Sequence, residues 1–143
     1  MKPPLLDRLR DRGYRLTSQR RVVAEVLAGE EVHLTADEVH QAAAALLPEI
    51  SRATVYSTLR QLVDLGELNE LNLDGRSKRY DPNVDPKHHH LLCTTCGSVH
   101  DVGHHSTVPE LQPDELRGMT IDSADVVYQG TCARCVAIAR TTR

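Results

Sequence analysis

Phenylalanine and tryptophan are absent from these 143 residues, and four tyrosines are the whole aromatic complement. Any core must therefore come from Leu, Val, Ile and Ala. A unit of about 60 residues built that way is marginal without a metal, a disulfide or a partner subunit. Long hydrophobic runs are missing as well. No stretch approaches the ~18 apolar residues of a membrane helix, and the first 30 residues hold seven Arg or Lys without the apolar run of a signal peptide. The expectation is a cytoplasmic protein with no membrane partner, in a compartment that keeps thiols reduced. Hydrophobic residues make up 40% of the chain, which is ordinary for a folded protein and argues against general disorder.

An excess of positive charge is also lacking, since the net charge is −3. Its distribution matters more than its sum for contact with phosphate. Residues 8–21 carry six Arg against one Asp, and Arg76, Lys78 and Arg79 form a second basic cluster. Taken alone, these clusters fit solvated helix faces better than a nucleic-acid contact.

The chain reads in two halves. Leu5, Leu6 and Leu9 make a short amphipathic turn ending at Gly13. Thr17 caps a helix running to Gly29, and Thr35 caps another ending near Pro48, with Val39, Ala42, Ala43 and Leu46 inward. Ser51 starts a further helix in which Val55, Leu59, Leu62 and Val63 share a face, and Gly66 stops it. Residues 67–73 and 77–81 look extended, with Asp74-Gly75 as the hairpin turn between them. Helices followed by a two-stranded wing make a winged helix-turn-helix. The two prolines of residues 82–87 mark a hinge. Short strands are expected at 88–93, 98–102 and 120–130, with a poor helical segment at about 108–117. The fold class is α+β: a winged helix-turn-helix domain over 1–81, the hinge, and a small α/β domain over 88–143.

Cys93-Thr-Thr-Cys96 and Cys132-Ala-Arg-Cys135 are two CxxC pairs. Each turn brings two thiolates to one ion, and two such turns complete a tetrahedron for structural zinc. Four buried free thiols or a thioredoxin-like redox pair are the alternatives. The redox motif follows a strand and opens a helix within a βαβ unit, and no such unit is expected here.

Eight His is a high count, and five of them lie between 88 and 104. Alternation along a strand sends His88 and His90 one way and His89 and Cys93 the other. With Asp101 on the neighbouring strand and Asp81 at the end of the wing, His88 and His90 suit one borderline ion such as Fe(II), Mn(II) or Zn(II). A solvated His-rich strand fits the periodicity equally well. His100, His104 and His105 read as surface residues, and His40 as structural.

Several stretches resemble the ferric uptake regulator (Fur) family over almost the whole chain. These are Gly13-Tyr-Arg-Leu-Thr-Ser-Gln-Arg20, His33-Leu-Thr-Ala-Asp37, Ser51-Arg-Ala-Thr-Val-Tyr-Ser-Thr-Leu-Arg60 running on to Leu65-Gly66, and His88-His-His-Leu-Leu-Cys93-Thr-Thr-Cys96-Gly97. The resemblance implies a homodimeric, non-enzymatic, metal-dependent transcriptional repressor that places helix 51–66 in the major groove of a palindromic operator in double-stranded DNA. It also implies a regulatory metal site between the domains, which adds His33 to Asp81, His88, His90 and Asp101.

That ligand set is similar to the peroxide-sensing (PerR) branch. The iron-sensing branch tends to carry Glu in place of Asp81 or Asp101, and zinc-sensing members usually add a cysteine, of which no fifth exists here. Nickel-sensing relatives use further His, a role open to His89. The branch resemblance implies Fe(II) or Mn(II) as the regulatory metal and hydrogen peroxide as the signal. It also implies that His33 or His88 is oxidised to 2-oxo-histidine, which releases the metal and the DNA. An iron-uptake repressor, or a manganese, nickel or zinc sensor, is the alternative within regulators; a CxxC thiol-disulfide protein is the alternative outside them. For DNA contact the resemblance points to Arg15, Ser51, Arg52, Thr54, Tyr56 and Arg60, with Arg20, Arg76 and Lys78 at phosphates.

Overall fold

Three hydroxyl side chains start the main helices of the N-terminal half. In a computed structural model, which describes residues 2–29, 32–85, 88–103 and 108–142, the chain divides into one unit of residues Met1–Asp85 and a second of Pro86–Arg143. The first unit opens with α1 (Leu5–Asp11) and α2 (Ser18–Val26), the latter capped by Thr17, whose hydroxyl accepts the Arg20 N–H. Helix α3 (Ala36–Leu46) begins at a full capping box: Thr35 accepts from the Glu38 N–H, and Glu38 accepts in return from the Thr35 N–H. Helix α4 (Arg52–Asp64) is capped by Ser51. Each cap contributes about 1 kcal/mol and fixes where its helix begins.

The helices enclose an aliphatic core of Leu5, Leu9, Val23, Leu27, Val39, Ala43, Val55, Leu59, Leu62 and Leu68. Helix α3 buries a narrower stripe than the sequence suggests. Val39 and Ala43 go inward, whereas Ala42 is exposed and Leu46 is 59% exposed. Helix α3 packs chiefly against α2 and α4, with the Leu34–Thr35 strand at its start, and Ala42 and Leu46 lie on the row that these neighbours leave uncovered.

Strand β1 (Leu34–Thr35), β2 (Asn69–Leu71) and β3 (Arg79–Asp81) form the wing in the order β1-β3-β2, all antiparallel. The hairpin turn lies where Asp74-Gly75 places it. Gly75 has φ +73°, a conformation that favours glycine, and Asp74 Oδ1 accepts the Arg76 N–H at 2.9 Å. The paired segments are shorter than 67–73 and 77–81, because the residues next to the turn are committed to these side-chain caps. Strand β1 was not anticipated.

An ion cluster ties α1 to the wing. Arg8 donates to Glu67 Oε2 at 2.6 Å and to the carbonyls of Glu67 and Pro82, each at 3.0 Å. Arg12 donates to Glu67 Oε1 at 2.9 Å. Burial acts to raise the Glu67 carboxyl, but the hydrogen bonds and charges of Arg8 and Arg12 outweigh it and hold it below its ordinary 4.5. A carboxyl lowered in the folded state stabilises above its unfolded value and loses that contribution as pH falls through the folded one.

The second unit is a three-stranded sheet with β4 (His89–Cys93) at its centre, antiparallel to β5 (Val99–Val102) and parallel to β6 (Val127–Gly130). The segment expected to be helical at 108–117 contributes one turn, α5 (Pro113–Leu116). Residues 120–126 lead into β6 rather than forming its first half. A closing helix, α6 (Ala133–Thr141), was not foreseen. Among the described residues no helix is long and apolar enough to cross a membrane. Pro86 and Lys87 of the expected hinge, and His104 and His105, lie outside the described residues.

Replacing Glu67 by Gln is expected to destabilise the first unit by about 3 kcal/mol at neutral pH, since two arginines lose a part-buried partner. In urea melts the gap to wild type should close as pH falls below 4.5. A gap independent of pH would mean that the charge is not what matters.

Candidate metal centres and nucleic-acid interface

The two CxxC turns converge. Cys93 ends β4 and Cys96 lies just beyond it, while Cys132 is the residue before α6 and Cys135 sits in its first turn. The four sulfurs lie within 4.8 Å of one another, and Cys96 and Cys132 are 3.8 Å apart. Sulfurs bound at ~2.3 Å around a tetrahedral zinc would stand ~3.8 Å from each other. The protonation chemistry fits the same ion. The Cys93 thiol is drawn down to about 5 by backbone N–H groups, first that of Cys132 and then that of Cys96. Cys135 is pushed up to about 12 by hydrogen bonding to the Cys132 thiol and by burial. Cys96 is also lowered, first by hydrogen bonds to Ser98, and a cation at the centre would let the raised Cys135 ionise beside them.

Two observations bear on the alternatives. Cys96 is exposed, so a reading as four buried thiols does not fit. The second pair does follow a strand, β6, and does open a helix, α6. What distinguishes it from a dithiol redox motif is the pair of additional sulfurs beside it.

The histidines and aspartates group within each unit. In the first unit Leu34 pairs with Tyr80, which sets the preceding residue, His33, beside Asp81. Their Nε2 and Oδ2 atoms are 3.3 Å apart, and both side chains are buried. Asp81 Oδ1 faces the other way and accepts the Asn83 N–H at 2.8 Å. In the second unit His90 lies opposite Asp101 across β4 and β5. His90 Nε2 and His88 Nε2 are 3.6 and 3.7 Å from Asp101 Oδ1, with the two imidazole rings edge to face. Nitrogen and carboxylate donors of this kind suit a borderline divalent ion. His89 instead accepts the Val126 N–H on Nδ1 at 3.1 Å, which joins β4 to the segment before β6. The His40 ring meets the Ile50 carbonyl, and His100 is exposed.

Helix α4 presents Arg52, Tyr56 and Arg60 to solvent, and Tyr56 is 46% exposed rather than packed inside. Ser51 and Thr54 are occupied differently: Ser51 caps the helix and donates to the Thr54 hydroxyl at 2.9 Å. Arg15 is exposed, and its carbonyl accepts from Arg20 at 2.9 Å. The Arg20 guanidinium also lies over the Tyr14 ring, so it braces the Arg15 turn. Lys78 pairs with Glu70 at 2.8 Å, and Arg76 is exposed. One acidic residue joins this face without having been anticipated, Asp37, which accepts from both Arg52 and Tyr56.

Residues 11–129 match the model of the ferric uptake regulator family. The chain belongs to that family. It is 34% identical over 132 residues to the peroxide-responsive repressor PerR of Staphylococcus epidermidis, covering 89% of this chain and 85% of that protein. Among solved structures it is similar to a zinc-bound manganese uptake regulator, with 25% identity, a TM-score of 0.69, and 91% of this chain and 99% of that one covered. The Campylobacter jejuni peroxide stress regulator superposes with a TM-score of 0.63 at 25% identity, over 94% of this chain and all of that one. For this Fur-family chain the cysteine cluster is the candidate structural zinc site, and the His and Asp groups are the candidate regulatory ligands.

Replacing Cys96 by Ser is expected to reduce zinc content, read by atomic absorption, from about one ion per chain to near zero, because closed sites need four ligands. The second unit should then lose its thermal transition in circular dichroism, as metal binding at such sites is folding free energy. A variant that melts like wild type without zinc would remove the structural role.

Proposed function

We propose that this chain is a metal-dependent DNA-binding repressor acting as a homodimer on a palindromic operator, and that hydrogen peroxide is its signal. The observation that carries this is the division of nitrogen and carboxylate donors between the units: His33 with Asp81 in the first, and His88 and His90 with Asp101 in the second. One ion held by all five would tie the recognition helix α4 to the dimerising unit and so set the spacing of two helices on DNA. Bound Fe(II) would supply one-electron chemistry toward peroxide that Mn(II) does not. His33 and His88 are the residues we assign as targets, and an oxidised imidazole is a weaker ligand. The carboxylates Asp81 and Asp101 lie on the Nε2 side of these imidazoles, where both kinds of donor could reach one ion. Arg15, Arg52, Tyr56 and Arg60 would face the grooves, with Ser51 and Thr54 setting the start of the reading helix.

The similarity to PerR proteins and to a peroxide stress regulator supports the sensing reading. The similarity to a manganese uptake regulator supports a second one, repression governed by metal level alone. Fluorescence anisotropy separates them. The Mn(II)-loaded and the anaerobic Fe(II)-loaded proteins are each titrated with operator, before and after micromolar peroxide. Peroxide sensing predicts that only the iron form loses affinity and that His33 or His88 gains the mass of one oxygen atom. Retained binding in both forms would leave metal-level repression in its place.

A further inference from the structure

A single carboxylate on the exposed face of the first unit holds two of the side chains assigned to DNA. Asp37 is the second residue of α3, and its Oδ1 accepts from Arg52 Nη2 at 2.5 Å and from the Tyr56 hydroxyl at 3.3 Å. Arg52 and Tyr56 stand four residues apart, so they share one side of α4. The three side chains lie at the junction of α3, α4 and the wing, where Asp37 and Tyr56 line a recess of about 250 Å³ with Ser77 and Lys78. The Asp37 and Arg52 side chains are 59% and 62% exposed, and a pair this open contributes little to folding. Its consequence therefore lies in what the surface does.

A carboxylate among basic groups that face a polyanion repels it. It also restricts its partners. A guanidinium offers five N–H donors in one plane, and engagement of Nη2 by Asp37 restrains that plane while the other donors stay available. Bidentate reading of a guanine edge needs the guanidinium plane aligned with the base, and a restrained plane loses less freedom on reaching it. An unrestrained arginine turns to the nearest phosphate, a contact that carries no sequence information. Tyr56 is restrained by the same oxygen.

We propose that Asp37 is a positioning residue for sequence reading: it orients Arg52 and Tyr56 toward base edges and raises the ratio of specific to non-specific DNA affinity. The proposal rests on α4 being the recognition helix.

The test uses the full-length Mn(II)-loaded protein, a duplex enriched by the wild type from a random-sequence pool, and a scrambled duplex of the same composition. Asp37→Asn should weaken the enriched duplex about three-fold and strengthen the scrambled one about three-fold, so that the affinity ratio falls about ten-fold. Asp37→Glu should restore most of the ratio, and in an Arg52→Ala background the effect of Asp37→Asn should shrink. A melting temperature unchanged by Asp37→Asn is expected, which separates positioning from structural damage. If the wild type enriches no sequence, the DNA reading fails and this proposal fails with it. If the wild type discriminates and Asp37→Asn keeps its ratio within two-fold, only the proposal is overturned. A variant that shifts both affinities by the same factor overturns it as well.

Discussion

Among its described residues the second unit buries few apolar side chains: Leu92 and Val99, together with the sulfur-bearing Cys93 and Cys135. At ~25 cal/mol per Å², two aliphatic side chains offset only a small part of the entropy of ordering so many residues. The convergence of four sulfurs is therefore the constraint on which this sheet depends. It joins the end of β4 to the start of α6, next to the strands that carry His90 and Asp101, and so supports the register that sets His90 opposite Asp101. Under the proposed function, the regulatory donors of this unit would be placed by a structural site whose own chemistry is unrelated to theirs.

The same shortage of core shows on the surface. Leu91, Leu111, Met119, Ile121, Tyr128 and Ile138 are all exposed in this unit, and Leu91 and Tyr128 are partners across β4 and β6. A small unit that shows more large apolar groups than it buries gains by self-association. The first unit, with its aliphatic cluster and ion-paired α1, has no such need. Under the proposed function this asymmetry divides the labour, with one unit available for DNA and the other for a second copy.

The helices of the first unit were legible in the sequence because their starts are local chemistry. Thr17, Thr35 and Ser51 cap by reaching three residues ahead, and Asp74-Gly75 turns on its own side chains. The four cysteines were legible through spacing alone. What was not legible depends on distant pairing. Strand β1 is two residues long and exists because Tyr80 and Arg79 lie beside it. That pairing is also what sets His33 next to Asp81, so without the family resemblance no signal in residues 30–35 would have marked His33 as a ligand. Leu46 was placed inward because apolar periodicity does not say how many neighbours a helix has. Asp37 escaped notice because its partners, 15 and 19 residues away, come to it only through the angle between α3 and α4.

The segment after Asp81 adds a mechanical point. Three successive carbonyls are held by side chains of the first unit: Arg8 at Pro82, Asn69 at Asn83 and Lys2 at Val84. Asp81 itself has one oxygen on the Asn83 N–H and the other toward His33. Residues 82–84 are thereby fastened to the first unit along their backbone. Under the proposed function, Asp81 would pass a change in metal occupancy to the start of the linker through the Asn83 N–H that it accepts, against the resistance of a segment that Arg8 also holds at Pro82.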